Sequence, residues 1–273
     1  MNVFFKYLLS TVCLCIVTAS ALAKDQQKTL LAIFAHPDDE GIVAPMLAKY
    51  ASEGVNVRWV IITDGQFGVR EHAKIPAGQA LIDVRQKEAI CASEQLGISA
   101  PTFLDYVDAD LHKRENLHKL NIDLIALIND IKPDTIVTWG PDGGYGHADH
   151  RLVSSVLTGI IQQGGENMPD ELLYAGVPSF QREGLKNIKT QFGHYIKQVW
   201  GVTDLDYLSY RIPFSAHDLT KTRNAFSCYQ SQFTEDELTD IFNFMSQANG
   251  VTYLRPALLK SVQHNSVFST AND

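Results

Sequence analysis

Several features that would point to particular classes of protein are scarce or missing in this 273-residue sequence. There is no run of basic residues and the formal net charge is −8, so nucleic acid is not an expected partner. There is no internal repeat, no low-complexity tract and no long linker, and after the first residues no apolar run is long enough to span a bilayer. These absences leave an ordinary globular composition, 45% hydrophobic and 20% charged, and favour one large domain.

The first residues have the pattern of a secretory signal. Lys6 gives a single positive charge, residues 7–18 are mostly apolar, and Ala21-Leu22-Ala23 is a small-x-small cleavage site. The apolar stretch is shorter than the roughly 20 residues that a membrane anchor needs. We therefore expect cleavage after Ala23, a single domain over residues 24–273, no membrane span after cleavage, and export to a periplasm or the medium.

Cysteine is also scarce, with four in the whole sequence. Cys13 and Cys15 lie in the expected signal, so only Cys91 and Cys228 remain. Two cysteines in an exported protein can pair. However, Cys91 lies in an alanine-rich helical segment and no pattern places Cys228 beside it, so we expect both to be free thiols.

The hydrophobic pattern of the first 161 residues alternates between strands and amphipathic helices. We expect strands over residues 30–34, 55–63, 101–104 and 134–139, and helices over 41–52, 79–96, 117–131 and 151–161. This alternation predicts an α/β fold with a Rossmann-like, mostly parallel sheet flanked by helices. On the helix over 79–96, Arg85 and Glu88 lie one turn apart, and a surface ion pair accounts for them.

The pattern weakens after residue 162. A strand over 172–177 and helices over 220–231 and 235–247 are expected, whereas 184–201 is ambiguous between strands and loops. We expect a less regular carboxyl-terminal third that caps the site.

A polar cluster follows the first buried strand, in Ala35-His36-Pro37-Asp38-Asp39-Glu40. Ligands of open α/β sheets bind outside the carboxyl ends of the strands. Three adjacent carboxylates repel one another and lose solvation if buried, and a bound cation would remove both penalties. The alternative is a capped helix start, in which an aspartate caps and the acids favour the helix dipole.

A second cluster follows the strand over 134–139, in Gly140-Pro141-Asp142-Gly143-Gly144-Tyr145-Gly146-His147-Ala148-Asp149-His150. His147 and His150 share a face if they lie in the first turn of a helix. Because the carboxyl ends of parallel strands lie on one edge of a sheet, both clusters are expected to form one site. Two imidazoles and a carboxylate with an open position suit a hydrolytic Zn²⁺, and Fe²⁺ fits the same ligands.

The two motifs together resemble the PIG-L (LmbE-like) family of zinc-dependent de-N-acetylases. The resemblance covers roughly residues 29–161 and includes Thr63-Asp64-Gly65 and the helix that carries Arg85 and Glu88. Gln230-Ser231-Gln232 is similar to the family's carboxyl-terminal Ser-Gln signature, although Tyr229 stands where a histidine is expected nearby.

The resemblance implies a role for each site residue. His36, Asp39 and His150 would hold the metal. Asp38 would be the general base, and His147 would polarise the amide carbonyl and stabilise the oxyanion.

The remaining motif residues would have supporting roles. Asp149 would orient one of the histidines, and Glu40 would serve the helix start. Arg70, which follows the Gly68 loop, is a candidate for contact with a sugar or phosphate.

The expected function is metal-dependent removal of the acetyl group from an N-acetylated amino sugar, oligosaccharide or glycoconjugate by metal-activated water. The alternatives are another amide hydrolase, such as a thiol-conjugate amidase or a long-chain N-deacylase, a non-catalytic carbohydrate-binding module, and a secreted phosphoesterase. A binding module would be expected to lack the base or a ligand, and a phosphoesterase to have more basic residues in the two motifs.

Overall fold

The computed structural model of the protein describes residues 27–258. The expected signal segment therefore lies outside the described residues. The elements are β1 (Thr29–Phe34), α1 (Ala44–Ser52), β2 (Asn56–Thr63), α2 (Gln79–Leu96), β3 (Thr102–Tyr106), α3 (Arg114–Ile131), β4 (Thr135–Thr138), α4 (Ala148–Gln163), β5 (Glu171–Ala175), α5 (Ser179–Gly184), α6 (Gln191–Val199), β6 (Tyr210–Pro213), α7 (Ala216–Phe226), α8 (Glu235–Ser246) and β7 (Val251–Pro256).

One seven-stranded sheet runs in the order β3-β2-β1-β4-β5-β7-β6. The first five strands pair in parallel, whereas β7 pairs antiparallel with both β5 and β6. The chain passes from β1 outward to β2 and β3, and then returns to place β4 on the other side of β1. The strand order therefore reverses between β1 and β4, which is where open α/β sheets bind ligands. The expected fold class is confirmed.

Both faces of the sheet are covered, as a parallel sheet requires. Because side chains alternate along a strand, Leu30, Ala32 and Phe34 face one core and Leu31 and Ile33 face the other. The first core includes residues of α1, α2, α7 and α8, and the second includes residues of α3 and α4. All six residues of β1 are buried, so the strand fixes the position of the loop that follows it.

The carboxyl-terminal third packs over the sheet edge as expected, but residues 184–201 were assigned wrongly. They contain the helix α6, whose N-cap Thr190 accepts a hydrogen bond from the backbone of Gly193. We call residues 191–200 and 226–246 the cap, because they lie over the carboxyl ends of β1 and β4. Strands β6 and β7 were not predicted in this third.

Cys91 and Cys228 form a disulfide, so the expectation of free thiols was wrong. Their Cα atoms are 5.9 Å apart, although the residues are separated by 137 positions in the sequence. The bond joins Cys91 of α2 to Cys228 of the cap. Helix α7, which precedes Cys228, packs against both α1 and α2.

The segment after Cys228 is hydrogen-bonded to the sheet region. The Tyr229 hydroxyl donates to Glu40 at 2.5 Å. Ser231 donates to both carboxylate oxygens of Glu88, from its backbone nitrogen at 2.7 Å and from its hydroxyl at 2.6 Å. Glu88 is buried and has this partner, so it does not form the surface ion pair that was expected.

Among residues 27–258, no helix combines the length and apolar character that a bilayer span requires.

Candidate metal centre and its cavity

The two polar motifs meet at the point where the strand order reverses. His36 lies two residues beyond β1, and His150 lies in the first turn of α4, which follows the loop after β4. The side chains of both histidines are buried, as is that of Asp39. The loops after β1 and β4, two strands that lie far apart in sequence, thus bring these three side chains together in one buried place.

The hydrogen bonds of His150 fix which ring nitrogen carries the proton. Nδ1 lies 3.1 Å from the carbonyl oxygen of Gly143, which can only accept, so Nδ1 is the donor. Gly143 has a φ of 67°, a left-handed conformation that favours glycine, and this turn brings the carbonyl under the ring. Nε2 of His150 therefore presents a lone pair, 3.0 Å from Asp39 Oδ1.

His36 is oriented in the complementary way. Its Nε2 lies 3.1 Å from Asp108 Oδ1 and 3.5 Å from Asp149 Oδ2, and ionised carboxylates only accept. In the neutral ring, Nδ1 is then the unprotonated nitrogen, and it lies 3.1 Å from Nε2 of His150. Two lone pairs at this distance repel one another unless a cation or a proton lies between them.

Asp39 completes a set of three ligand atoms. Oδ1 faces His150, and Oδ2 lies 3.4 Å from Nδ1 of His36 and accepts a hydrogen bond from the His36 backbone. Burial alone would lower the pKa of His36, but its bonds to Asp108, Asp149 and Asp39 raise it well above the ordinary value. Burial alone would raise the pKa of Asp39, but the neighbouring His150 lowers it well below the ordinary value. The site therefore favours positive charge, and two imidazole nitrogens with a carboxylate are a ligand set typical of Zn²⁺.

Two other groupings of potential ligand atoms share His36. Nitrogens of His36, His147 and His150 lie within 4.8 Å of one another, and so do ligand atoms of His36, Asp108 and Asp149. In the second group the carboxylates already accept hydrogen bonds from backbone amides, Asp108 from Phe67 and Asp149 from Ala109. The Nδ1 side of His36 is therefore the better candidate position for a cation, and the two carboxylates are partners of its Nε2.

Asp38 lies beside the ligand set in a strained backbone conformation, with a φ of 95°. Burial raises the pKa of its carboxyl to about 6, although the Arg85 guanidinium acts to lower it. Arg85 donates to Asp38 Oδ2 at 3.1 Å, to the Pro37 carbonyl at 2.6 Å and to the Gly65 carbonyl at 2.8 Å. Arg85 is thus buried and holds this loop, and the expected surface ion pair with Glu88 was wrong.

The glycines of the loop after β2 make room for Arg85. A Cβ on Gly65 or Gly68 would collide with the guanidinium. Gly65 also has a φ of 64°, which disfavours other residues. The loop after β2 therefore encloses the guanidinium of Arg85, which lies 20 residues after Gly65 in the sequence.

His147 lies above the ligand set with its ring centre 4.7 Å from those of His36 and His150. Its Nδ1 accepts a hydrogen bond from the backbone nitrogen of Asp149 at 3.2 Å, so Nε2 carries the proton. Burial lowers the pKa of His147, and the neighbouring imidazoles of His36 and His150 act in the same direction. A neutral ring with an N–H donor is suited to stabilise negative charge that develops on an oxygen.

Glu40 lies in a short 3-10 turn over Asp39–Ile42, as expected of a helix start, but its carboxyl has a second role. It is almost completely buried, and burial raises its pKa to about 8 against the effect of the Tyr229 hydroxyl bond. Through its hydrogen bond with Tyr229, Glu40 therefore links the loop after β1 to the cap.

Sequence reasoning missed three residues of the site. Asp108 orients His36, and the only signal for it was its place in an acidic stretch directly after β3. Arg85 lies on a helix that resembles the family's pattern, but the only role expected for it was in a surface ion pair. Tyr145, within the second motif, packs its ring edge-on to His147 and His150 and lines the cavity.

A cavity of about 720 Å³ opens above Asp38 and Asp39 and extends under the cap. Its walls come from the loop after β2, from Trp139 and from the cap helices. Trp139 also stacks on His150, with ring centres 4.7 Å apart and an angle of 5° between the planes. Arg70 lines this cavity as well, and its guanidinium forms an ion pair with Glu237 of the cap.

Comparison with known proteins gives relatives with deacetylase and amidase names. A 1D-myo-inositol 2-acetamido-2-deoxy-alpha-D-glucopyranoside deacetylase from Rhodococcus opacus is 34% identical over 174 residues, which are 56% of this chain and 58% of that protein. A mycothiol S-conjugate amidase from Streptomyces coelicolor is 30% identical over 194 residues, 62% of this chain and 65% of that protein. The chain thus spans less than two thirds of the length of these curated relatives.

Among solved structures, the fold resembles that of an N,N'-diacetylchitobiose deacetylase from Pyrococcus horikoshii. The TM-score is 0.59 at 21% identity, over 85% of this chain and 83% of that one. Identity this low supports the shared fold only.

The family match covers the region that builds the metal centre. Residues 31–161 match the family described as PIG-L: GlcNAc-PI de-N-acetylase. They extend from β1 through α4, and so contain both histidine–aspartate motifs as well as Arg85 and Asp108. Over residues 31–161 the chain therefore matches the PIG-L family model.

Proposed function

We propose that this protein is a metal-dependent hydrolase that removes the acetyl group from an N-acetylated amino sugar or glycoconjugate. One observation carries the proposal. In the neutral rings, the hydrogen bonds of His36 and His150 leave two unprotonated nitrogens 3.1 Å apart beside the carboxylate of Asp39, and Asp39 lines a cavity. The matched family and the deacetylase named above support the type of reaction.

His36, Asp39 and His150 would hold the metal through these three atoms. When bound there, a Zn²⁺ ion would lower the pKa of a water ligand toward about 7 and would polarise the amide carbonyl. Fe²⁺ suits the same ligands, so we propose a divalent cation and favour Zn²⁺.

Asp38 would take the proton from the attacking water. Its Oδ2 is held by Arg85, which leaves Oδ1 for the proton, and it lines the cavity next to Asp39. A base is most effective when its pKa lies near the working pH, and burial raises the pKa of Asp38 in that direction.

His147 would stabilise the oxygen of the amide as the tetrahedral carbon forms. The backbone of Asp149 occupies Nδ1, so Nε2–H is the group that can donate to the substrate oxygen. A single such donor commonly raises kcat by about 10²–10³. The same proton could pass to the leaving amine as the C–N bond breaks. Asp149 would orient both rings, because its backbone binds His147 and its carboxylate faces His36.

Arg70 remains a candidate for substrate contact. It lines the cavity, but its charge is already paired with Glu237. A sugar or phosphate contact would therefore have to share or displace that pair.

A second candidate is hydrolysis of another amide, such as that of a thiol conjugate. The amidase relative supports it, since its alignment extends over more of this chain than that of the deacetylase. The same metal centre would serve both reactions, and only the substrate cavity would distinguish them.

The test is release of free acetate and free amine from N-acetylglucosamine, its β-linked oligomers, peptidoglycan fragments and an N-acetylcysteinyl glucosamine conjugate. Each is assayed with and without a chelator. We expect chelator-sensitive release of acetate from at least one acetamido sugar. Cleavage of the conjugate alone, at its amide to the glucosamine, would favour the amidase, and no cleavage of any would contradict the proposal.

We also propose that residues 1–23 are a signal and that the protein acts outside the cytoplasm. The disulfide between Cys91 and Cys228 supports this, since such bonds persist mainly in oxidising compartments. Expression of the full sequence followed by fractionation and mass measurement of the mature chain tests it. We expect a chain that begins at Lys24 in the exported fraction, and an uncleaved chain in the cytoplasm would contradict it.

A further inference from the structure

We propose that the natural substrate carries an extended apolar group close to the scissile amide, and that this group lies in the cavity under the cap. This rests on the proposed amide hydrolysis and adds the class of substrate. The group could be a long acyl chain on the nitrogen or an apolar aglycone on the sugar, since both have the same chemistry toward the cavity.

The volume and the walls of the cavity both point to such a group. At about 720 Å³ the cavity has the size of a site for a molecule far larger than an acetyl group. Beyond Asp38 and Asp39, its walls are mainly aliphatic and aromatic. The apolar wall residues supplied by the cap are Phe192, Tyr195, Ile196, Trp200, Phe226, Phe233, Ile241, Phe244 and Met245.

Three of the polar side chains in these walls, Arg70, Glu237 and Gln232, are engaged within the protein. Arg70 and Glu237 are paired with each other. The amide nitrogen of Gln232 donates to the Gly68 carbonyl at 3.2 Å and to the Ser231 hydroxyl at 2.9 Å. A bare sugar buried here would lose the solvation of its hydroxyls without equivalent partners, which is costly, whereas an apolar group would gain from burial.

Exposed apolar side chains continue from the cavity to the surface. Val69 and Tyr195 line the cavity and are still 48% and 43% exposed. Phe67, two residues before Val69, is 56% exposed. Large apolar side chains held in solvent at the mouth of an apolar cavity are expected where an apolar ligand enters.

Two series of substrates separate the two sources of the apolar group. The first is a set of N-acylglucosamines with acyl chains of two, four, eight and twelve carbons. The second is a set of N-acetylglucosamine β-glycosides with methyl, butyl, octyl and dodecyl groups. Hydrolysis of either type adds water across the amide and yields a carboxylic acid and a free amine, so one amine assay serves both.

We expect kcat/KM to rise about fourfold for each added methylene in one series, until the cavity is filled. A rise in the first series identifies an acyl chain, so that the group removed would be longer than acetyl, whereas a rise in the second identifies an aglycone and leaves acetyl as the group removed. If chelator-sensitive hydrolysis occurs but kcat/KM is independent of chain length in both series, this inference is wrong and the proposed function stands.

Binding measured without turnover keeps the inference testable if no compound is hydrolysed. Trp139 and Trp200 line the cavity, so their fluorescence should report occupancy by the twelve-carbon compounds. Kd that decreases with chain length supports the inference even though the proposed function would then have failed. Kd that is the same for short and long compounds overturns it.

Variants of the cavity wall test whether the dependence of kcat/KM on chain length arises in this cavity. Met245→Glu places a charge on the cavity wall, and Tyr195→Glu does so at the more exposed rim, where folding is least affected. Each should lower the ratio of kcat/KM for the long compound to that for the acetyl or methyl compound by about tenfold or more, since contact with at least two methylenes is lost. Ile122→Glu is the control, because Ile122 is 53% exposed on α3, which contributes no residue to the cavity. An unchanged ratio in both cavity variants would overturn the inference.

Discussion

The sheet-edge wall of the cavity and the cap wall differ in polarity and in how the chain holds them. At the sheet edge, buried histidines and carboxylates stand on loops fixed by the buried strands β1 and β4, and each ring nitrogen of His36 and His150 has a defined neighbour. The cap wall is mainly apolar, and it is joined to the sheet region by hydrophobic packing in the first core, by one disulfide and by a few side-chain bonds.

This difference suggests that the sheet-edge wall determines the reaction and that the cap wall determines which substrates bind. Proton positions and charge at the sheet edge determine which reaction can occur, because small displacements there change the ligand set. The apolar cap acts through shape and burial, so it can change which substrate fits without affecting the metal ligands. Variants of the two walls should therefore have distinct effects.

The largest effect is expected from Asp39→Ala. Removal of this carboxylate takes away one ligand atom and leaves the nitrogens of His36 and His150 without their charged neighbour. We expect metal affinity and turnover to fall together to background. Metal-to-protein ratio after gel filtration, measured alongside amine release, checks this, and a variant that retained bound metal and turnover would contradict the assignment.

Asp38→Ala is the matched neighbouring variant. Loss of the base should lower kcat by about 10²–10⁴ while the metal remains bound, since Asp38 is not among the three ligands. The same metal analysis and kinetics apply. Turnover close to that of the unaltered protein in a metal-loaded Asp38→Ala sample would exclude Asp38 as the base.

Asp108→Asn should have a smaller effect, because Asp108 acts through His36. The amide keeps the size of the side chain but removes the charge that holds Nε2–H, and loss of such a partner typically lowers metal affinity by about 10–100-fold. Competition with a chelator of known affinity measures it. Asp110→Asn, at a neighbouring carboxylate paired with the half-exposed Lys113, is the control and should leave metal affinity unchanged.

The double variant Cys91→Ser/Cys228→Ser should have the smallest effect on chemistry and a clear effect on stability. The disulfide closes a long loop, so its loss should cost about 2–4 kcal/mol of the free energy of unfolding. Metal content should not change, since neither cysteine is among the three proposed ligands. Denaturant unfolding with and without reductant provides the measurement. Equal stability of the variant and the oxidised protein would show that the bond does not hold the cap.

The parts that could be predicted from sequence are those that depend on local pattern. Strand β1, helix α2 and the two motifs each lie within one continuous stretch, and the rule that parallel strands end on one edge brings the motifs together. That is enough to predict the fold class and the convergence of His36, Asp39 and His150.

The parts that were missed depend on contacts between distant segments. Arg85 and Glu88 have the spacing of a surface pair, and only the loop glycines on one side and Ser231 on the other bury them. The disulfide joins positions far apart in sequence, and Asp108 lies in a stretch with no regular period. Helix α6 did carry a local signal, Thr190 as N-cap with Phe192, Ile196 and Val199 at helical spacing, but its aromatic residues also suit strands.

The most direct test of the central claim removes and restores the metal in the unaltered protein. Acetate release from N-acetylglucosamine or one of its oligomers is followed before chelation, after chelation and removal of the chelator, and after addition of one equivalent of Zn²⁺. We predict that the chelated protein remains folded but inactive and that Zn²⁺ restores turnover. Full turnover in a sample shown by elemental analysis to contain no metal would contradict the account.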